Sequence, residues 1–194
     1  MSGGTLVALV GGVASALIFV LVIAVAAGYN RLVRLREQVD SAWSPIDAQL
    51  RRRYDLVPVV VNTIGGYLTY DRRAIAAVVE AREDAMAAVT HAAGTAARAE
   101  AEALLDRTLG RLIELGAAYP EVRGNPSFGA LHAELRAGAD RIAYGRRLFN
   151  EAVEAYNTAV RGNLVASMTG FRTRDFFQAA EADPRATTRL SLGR

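Results

Sequence analysis

The first thirty residues form one uninterrupted apolar block without a charged side chain. Residues 5–28, TLVALVGGVASALIFVLVIAVAAG, are long enough to cross a hydrocarbon core of about 30 Å as a single helix. The pattern therefore predicts a transmembrane helix over residues 5–28, through which the chain would contact the lipid bilayer. A short N-terminal segment over residues 1–4 precedes this helix, and residues 29–182 are assigned to a separate domain.

After this block the apolar residues recur every three or four positions, with a mean interval of about 3.6, the period of an α-helix. They are Leu32, Leu35, Val39, Trp43, Ile46, Leu50, Tyr54, Val57, Val61, Ile64 and Leu68. Because this stripe follows the apolar block directly, we expect one long first helix that ends near Gly65-Gly66. Pro45 and Pro58 remove hydrogen bonds inside it and should kink it. A break at Pro45 is the alternative, because Ser44-Pro45-Ile46-Asp47 is typical of a helix start.

Three further helices are predicted over residues 71–89, over residues 95–118, and from the expected cap Asn125 to Gly162-Asn163. The residues expected to face inward are Ile75, Val78, Val79, Met86, Val89, Leu104, Leu105, Leu109, Leu112, Leu115, Phe128, Leu131, Leu135, Ile142, Phe149, Val153, Tyr156 and Val160. No stretch alternates as a β-strand does. We therefore predict an all-α fold in which a transmembrane helix continues into an antiparallel four-helix bundle with long first and last helices.

The helix lengths also predict where the chain returns. The first and last helices are about twice as long as the middle two, so the last helix should bring residues 163–177 back to the bilayer surface. The polar residues 183–194 are expected to form a disordered tail.

The charges beside the apolar block predict its orientation. Arg31, Arg34 and Arg36 follow the block and no basic residue precedes it, which favours a retained anchor over a cleaved signal peptide, although the small residues of AVAAG keep the latter open. Basic flanks lie in the cytoplasm. We therefore expect residues 1–4 outside and the bundle in the cytoplasm, in the inner membrane of a bacterium.

Composition narrows the function classes. The net charge is +3, with 23 basic residues, all of them arginine, interleaved with 20 acidic ones. This pattern gives no signal for nucleic acid, which we exclude as a partner. There is no cysteine, so a disulfide scaffold and thiol chemistry are excluded.

Three consecutive arginines are the first candidate site. Arg51, Arg52 and Arg53 point about 100° apart around a helix and cannot form one flat phosphate-binding stripe. We expect ion pairs on the helix surface, Asp47 with Arg51 and Asp55 with Arg52. A partner contact and a phosphate contact are the alternatives. A buried polar cluster that combines Asp55, Arg52, Arg53 and Tyr54 with Arg146 or Arg147 of the last helix would fix the register of the bundle.

The C-terminal aromatic and basic residues are the second candidate site, and they comprise Phe171, Arg172, Arg174, Phe176 and Phe177. This segment either clasps the bundle or contacts the membrane interface, with aromatic rings inserted and arginines on anionic headgroups.

Nothing in the sequence indicates catalysis or a cofactor. His91 and His132 are isolated, Glu80 and Asp84 lack a Glu-x-x-His partner, and no nucleotide-binding or zinc motif occurs. We therefore expect neither an enzyme nor a bound cofactor or metal.

The order of short motifs resembles that of the LemA family of bacterial membrane-anchored proteins. The resemblance begins with Asn30, Leu32, Val33, Leu35, Ala42-Trp43, Ile46-Asp47, Gln49-Leu50, Arg52-Arg53, Tyr54 and Asp55-Leu56-Val57-Pro58. It continues with Glu80-Ala81-Arg82, Tyr119-Pro120, Asn125, Phe128, Glu134-Leu135, Arg141-Ile142, Arg146-Arg147, Asn150, Tyr156-Asn157 and Gly170-Phe171. The chain departs from the pattern with Tyr54 in place of a histidine, Pro45 in place of a polar residue, and Arg161-Gly162 in place of Phe-Pro. The resemblance implies a membrane helix and a helical-bundle domain, but no known reaction.

These observations favour a non-enzymatic scaffold or adaptor that presents helical surfaces to an unknown protein partner, or to further copies of itself as a homo-oligomer. The alternative is a sensor or modulator of the bilayer that acts through residues 163–177.

Overall fold

The computed structural model describes residues 3–67, 72–90 and 95–178, with side chains from residue 10 onward. The described residues are all-helical and contain no strand. The helices are α1 (Gly3–Gly65), α2 (Arg72–Thr90), α3 (Thr95–Ala117), α4 (Pro120–Arg123), α5 (Pro126–Arg161) and α6 (Leu164–Thr169). The predicted tail, Leu68, Asp71 and His91 lie outside the described residues.

Helix α1 extends from the apolar block through the amphipathic stripe as one element of 63 residues. Its N-terminal part is long and apolar enough to span a membrane, and none of that apolar window is buried within the protein. The alternative of a break at Pro45 is wrong, because α1 continues through both Pro45 and Pro58. Both prolines lie on the exposed side of α1, away from its buried stripe.

The chain forms two compact units, and α1 and α5 contribute residues to both. Unit 1 comprises residues 1–41 and 152–174. Its buried residues come from α1, α5 and α6, and they are Leu32, Val39, Val153, Tyr156, Asn157, Val165 and Ala166.

Unit 2 comprises residues 42–151 and 175–194 and contains α2, α3 and α4 with parts of α1 and α5. Helix α2 packs against α3. Buried positions of α1 recur at intervals of four and three, the heptad spacing of tightly packed helices. The residues on this spacing are Ile46, Leu50, Arg53, Val57, Val60 and Ile64, and the adjacent Tyr54 and Leu56 are buried as well. The sequence prediction used the longer period of 3.6 and therefore chose Val61, which is only half-buried, instead of Val60.

Three residues predicted to face inward are exposed, namely Val79, Met86 and Leu104. In α2 the small Ala81 and Ala85 are buried in their place. Because alanine has a small side chain, these positions allow close helix contact that a search for large apolar residues does not detect. The short helices α4 and α6 were also not predicted. Helix α4 begins at Pro120, directly after the Tyr119-Pro120 pair that was expected only to end the third helix.

Candidate functional site

The three consecutive arginines bind three different sets of carboxylates in unit 2. Arg51 Nε lies 2.8 Å from Asp47 on the same helix, which confirms that expected ion pair. Arg52 lies 2.6 Å from Glu134 of α5, and not beside Asp55 as predicted. Arg53 binds Glu102 and Asp106 of α3. Their divergence matches the expected 100° steps and leaves no shared anion-binding surface.

The interaction of Arg53 with Glu102 is the centre of the site. Both side chains are more than nine-tenths buried, and the Tyr54 hydroxyl donates to the other Glu102 oxygen. Arg53 also donates to Asp106, 3.0 Å away at the protein surface. Burial, and then the hydrogen bond to Glu102, raise the pKa of Tyr54, so its hydroxyl remains a donor at neutral pH. The ion pair joins α1 to α3 inside unit 2.

The predicted cluster of Asp55 with Arg146 or Arg147 does not form. Asp55 and Arg147 are exposed, and the Arg146 guanidinium lies over the Phe177 ring, 5.4 Å from its centroid. Asp55 stays out of such a cluster because of its position around the helix. It is two residues from Arg53, about 200° around α1, and therefore faces away from the buried arginine.

A second ion pair joins α1 to α3 beside the only tryptophan of the chain. Arg98 donates to Asp47 at 2.5 Å, and its guanidinium lies 4.7 Å from the Trp43 ring centroid. Burial raises the pKa of Asp47, but the hydrogen bonds from Arg98 and Arg51, together with their charges, outweigh it and lower that pKa. The carboxylate is therefore ionised over the neutral range.

Phe177, from the C-terminal part of unit 2, packs against aromatic residues of the core, as the clasp interpretation expects. The Asn150 side chain pairs with the backbone of Phe177, accepting from its nitrogen at 2.9 Å and donating to its oxygen at 3.3 Å. The buried Phe177 ring lies edge-on to Trp43, at 5.0 Å between centroids. Trp43 makes a second edge-on contact with Phe149. Phe176 remains partly exposed.

In unit 1 an asparagine makes an equivalent clamp. The Asn157 side chain accepts from the Arg174 nitrogen and donates to its oxygen, both at 2.8 Å. The Arg174 guanidinium lies 3.2 Å from Asp40. The Phe171 ring lies edge-on to Tyr29, at 5.7 Å between centroids. Arg172 is exposed.

An apolar groove lies between α1 and α5 in unit 2, and we call it the α1/α5 groove. It encloses about 580 Å³ and is lined by Ala42, Pro45, Ala48, Gln49, Asp140, Arg141, Tyr144, Gly145 and Leu148. The lining is mostly small or apolar, yet Tyr144 is 59% and Leu148 is 43% exposed. These two large side chains lie on one face of α5 without being covered.

A second cleft of about 350 Å³ has mixed charge and lies beside the buried ion pair. Its charged lining consists of Arg53, Glu102, Asp106, Arg107, Asp140 and Arg146. Within the described residues no three metal-ligating side chains come together. His132 stacks on Phe128. Two of the three carboxylates that line this cleft, Glu102 and Asp106, are already paired with Arg53, so the arrangement suits structure better than acid–base chemistry.

Sequence reasoning missed Glu102, Asn150 and Asn157 as functional positions. Glu102 continues the spacing of Leu105, Leu109 and Leu112. A carboxylate within that apolar stripe indicates a buried charge and could have been found from the sequence. Both asparagines were noted as motif landmarks, but nothing in the pattern indicated that they hold the C-terminal segment.

The comparison with family models finds one match, to the LemA family, over residues 42–191. No curated protein matches the chain.

Proposed function

This chain belongs to the LemA family, and we propose that it is a membrane-anchored, non-enzymatic scaffold or adaptor. The observation that carries the proposal is the α1/α5 groove. Small side chains at Ala42 and Ala48 allow a helix to approach closely, and the exposed Tyr144 and Leu148 supply apolar contact area. The proposed occupant is an amphipathic helix of a protein partner. The rim residues Asp140 and Arg141 carry opposite charges, which suits a helix with a mixed polar face.

The finer architecture belongs to the same proposal. We propose that α1, α2, α3 and α5 form an antiparallel four-helix bundle. Support comes from pairs in unit 2 that run in opposite directions along α1 and α5, Gly145 near Ile46 and Glu134 near Arg52.

The proposed location is the bacterial inner membrane, with the N-terminus outside and the helical domain in the cytoplasm. The arginines that follow the apolar part of α1 support this orientation. Because the chain has no cysteine, single cysteines at Ser2 and at the exposed Ser127 can be treated with an impermeant thiol reagent in intact cells. Labelling at residue 127 but not at residue 2 would reject the orientation.

The test of the adaptor proposal is site-specific photocrosslinking in cells. A photoreactive phenylalanine analogue replaces Tyr144 in the full chain, and the matched control places it at Arg111, an exposed position of α3. We expect a discrete partner crosslinked from residue 144 only, and lost when Leu148→Glu places a charge in the groove. Crosslinks only between copies of the chain would show that the groove serves self-assembly and not binding of another protein. Equal crosslinking from residues 144 and 111 would show that the groove is not the binding site.

The second candidate is a sensor or modulator of the bilayer that acts through residues 163–177. A specific observation favours it, because Leu164 and Met168 of α6 are almost fully exposed.

A further inference from the structure

Helix α6 presents two large apolar side chains to the surroundings. Leu164 is 85% and Met168 is 84% exposed, and their spacing of four residues places them on one face of the helix. Val165 and Ala166 on the opposite side are buried in unit 1. Helix α6 therefore has one apolar face that packs into unit 1 and one that is exposed.

The ends of α6 are fixed beside one turn of α1. At its start, a Cβ added to Gly28 would lie 3.1 Å from Asn163 Nδ2, so the missing side chain allows this close approach. The Asn163 side chain caps the helix by accepting from the Val165 nitrogen. At its end, Gly170 adopts φ 76°, which turns the chain so that Phe171 reaches Tyr29. Both ends therefore lie at the level of residues 28 and 29.

That level is where the apolar part of α1 ends. Residues 10–27 are uncharged and exposed around the helix, as expected of a lipid-facing segment. Tyr29 is an aromatic residue of the kind enriched at the membrane interface. Helix α6 is thus continuous with the surface proposed to cross the bilayer.

Arginines surround this level. Arg31, Arg34 and Arg36 follow Gly28 by three to eight residues, a rise of about 5–12 Å, comparable to the depth of a headgroup layer. Arg161 and Arg172 flank α6, and both are exposed. Asp40 accepts ion pairs from Arg36 and Arg174, but within the described residues Arg172 has no carboxylate partner.

We infer that α6 is a membrane-interface element, in which Leu164 and Met168 enter the boundary layer of the bilayer while Arg172 and the arginines after Gly28 contact anionic lipid headgroups. This inference rests on the membrane anchorage proposed above, and it replaces Phe177 with α6 as the inserting element. Phe177 is buried against Trp43 in unit 2, so its ring is not free for lipid.

The experiment uses the full chain, purified and reconstituted into vesicles of phosphatidylcholine with or without phosphatidylglycerol. A polarity-sensitive fluorophore is attached to a single cysteine in Met168→Cys, with Val20→Cys as the membrane reference and Ser127→Cys as the aqueous reference. Because Met168 is exposed, the substitution removes no core contact. Lipids that carry a quencher near the headgroup or deep in the acyl chain then report the depth of each site.

We expect a blue-shifted emission at residue 168, with stronger quenching by the shallow quencher than by the deep one. Phosphatidylglycerol should increase this quenching, Leu164→Ser should reduce it, and Arg172→Gln should weaken the phosphatidylglycerol effect, whereas the control Arg111→Gln should change nothing. A fluorophore at residue 168 that behaves like the one at residue 127, while residue 20 is quenched, overturns the inference and leaves the anchor intact. An unquenched residue 20 instead refutes the anchor itself.

Discussion

The side chain of Arg82 donates a hydrogen bond from Nε to the backbone oxygen of Tyr54, over 2.8 Å. In a regular helix that oxygen accepts from the nitrogen four residues later. Here that residue is Pro58, which has no N–H to give. An arginine of α2 therefore supplies the hydrogen bond that the proline of α1 removes.

This relationship predicts coupling between Arg82 and Pro58. Arg82→Met should lower the free energy of unfolding by about 1–3 kcal/mol, because a part-buried carbonyl is left without a donor. In a Pro58→Ala background the alanine N–H restores the helical bond, so the same change should cost about 1 kcal/mol less. Urea unfolding of the full chain in detergent micelles, followed by circular dichroism, measures both values. Pro45→Ala is the matched control, and a background effect as large as that of Pro58→Ala would contradict the pairing.

The buried ion pair predicts an unequal pattern of single and double changes. Glu102→Leu should cost less than Arg53→Met, because Arg53 keeps its ion pair with Asp106, 3.0 Å away at the protein surface. Arg53→Met should cost about 3–5 kcal/mol, because it leaves the buried Glu102 without a counter-charge. The double variant should recover most of that loss, since no uncompensated charge remains. Arg52→Gln breaks only the exposed pair with Glu134 and should cost less than about 1 kcal/mol. Thermal unfolding of the four variants, compared with the wild type, checks this order, and additive costs in the double variant would show that the two charges do not interact.

The same residues show what could be predicted from the sequence. The apolar block, the four main helices and the inward face of α5 follow from periodicity, because large apolar residues mark them. Arg53 was expected in a buried polar cluster, but its partner Glu102 was not predicted, because it replaces an apolar residue at a buried position and the pairing depends on the alignment of α1 with α3. Helix α6 was not predicted because six residues are too few to show a helical period.

The lowered pKa of Asp47 predicts that the folded state loses stability at acid pH. Its pKa is lowered in the folded state, so it binds a proton more weakly when folded than when unfolded. Its contribution is therefore complete above the ordinary value of 3.8 and is lost as the pH falls through the lower folded-state pKa. Asp47→Asn should lower stability at neutral pH and flatten the acid limb of the stability profile. Fluorescence of the sole tryptophan, Trp43, follows the transition, because Arg98 binds Asp47 and lies over that ring.

The control for this profile is Asp55→Asn, on the exposed side of the same helix. It removes one carboxylate without removing an ion pair that the described residues contain. An acid limb as steep in Asp47→Asn as in Asp55→Asn would show that Asp47 does not contribute to acid sensitivity.

At two glycines of α5, substitution by alanine is expected to change the stability of the protein in opposite directions. A Cβ at Gly145 would lie 2.8 Å from Ile46 Cγ1, which cannot move away by rotation of a terminal methyl. We expect Gly145→Ala to cost about 1–3 kcal/mol through overpacking, partly offset by the higher helix propensity of alanine. Gly129 has no atom within 4 Å of the same position, so Gly129→Ala should stabilise by about 0.5–1 kcal/mol. Unfolding of both variants in one detergent gives the comparison.

Ile46→Ala tests the cause of the Gly145 effect. By removing the atom that the new Cβ would meet, it should make Gly145→Ala less costly than in the wild type. Two glycine variants that stabilise alike, or an Ile46→Ala background that changes nothing, would rule out close contact between α1 and α5 at this point.

Because Gly145 also lines the α1/α5 groove, the comparison further separates a packing effect from a binding effect. Gly145→Ala should lower both stability and crosslinking from residue 144, whereas the exposed Leu148→Glu should lower crosslinking alone.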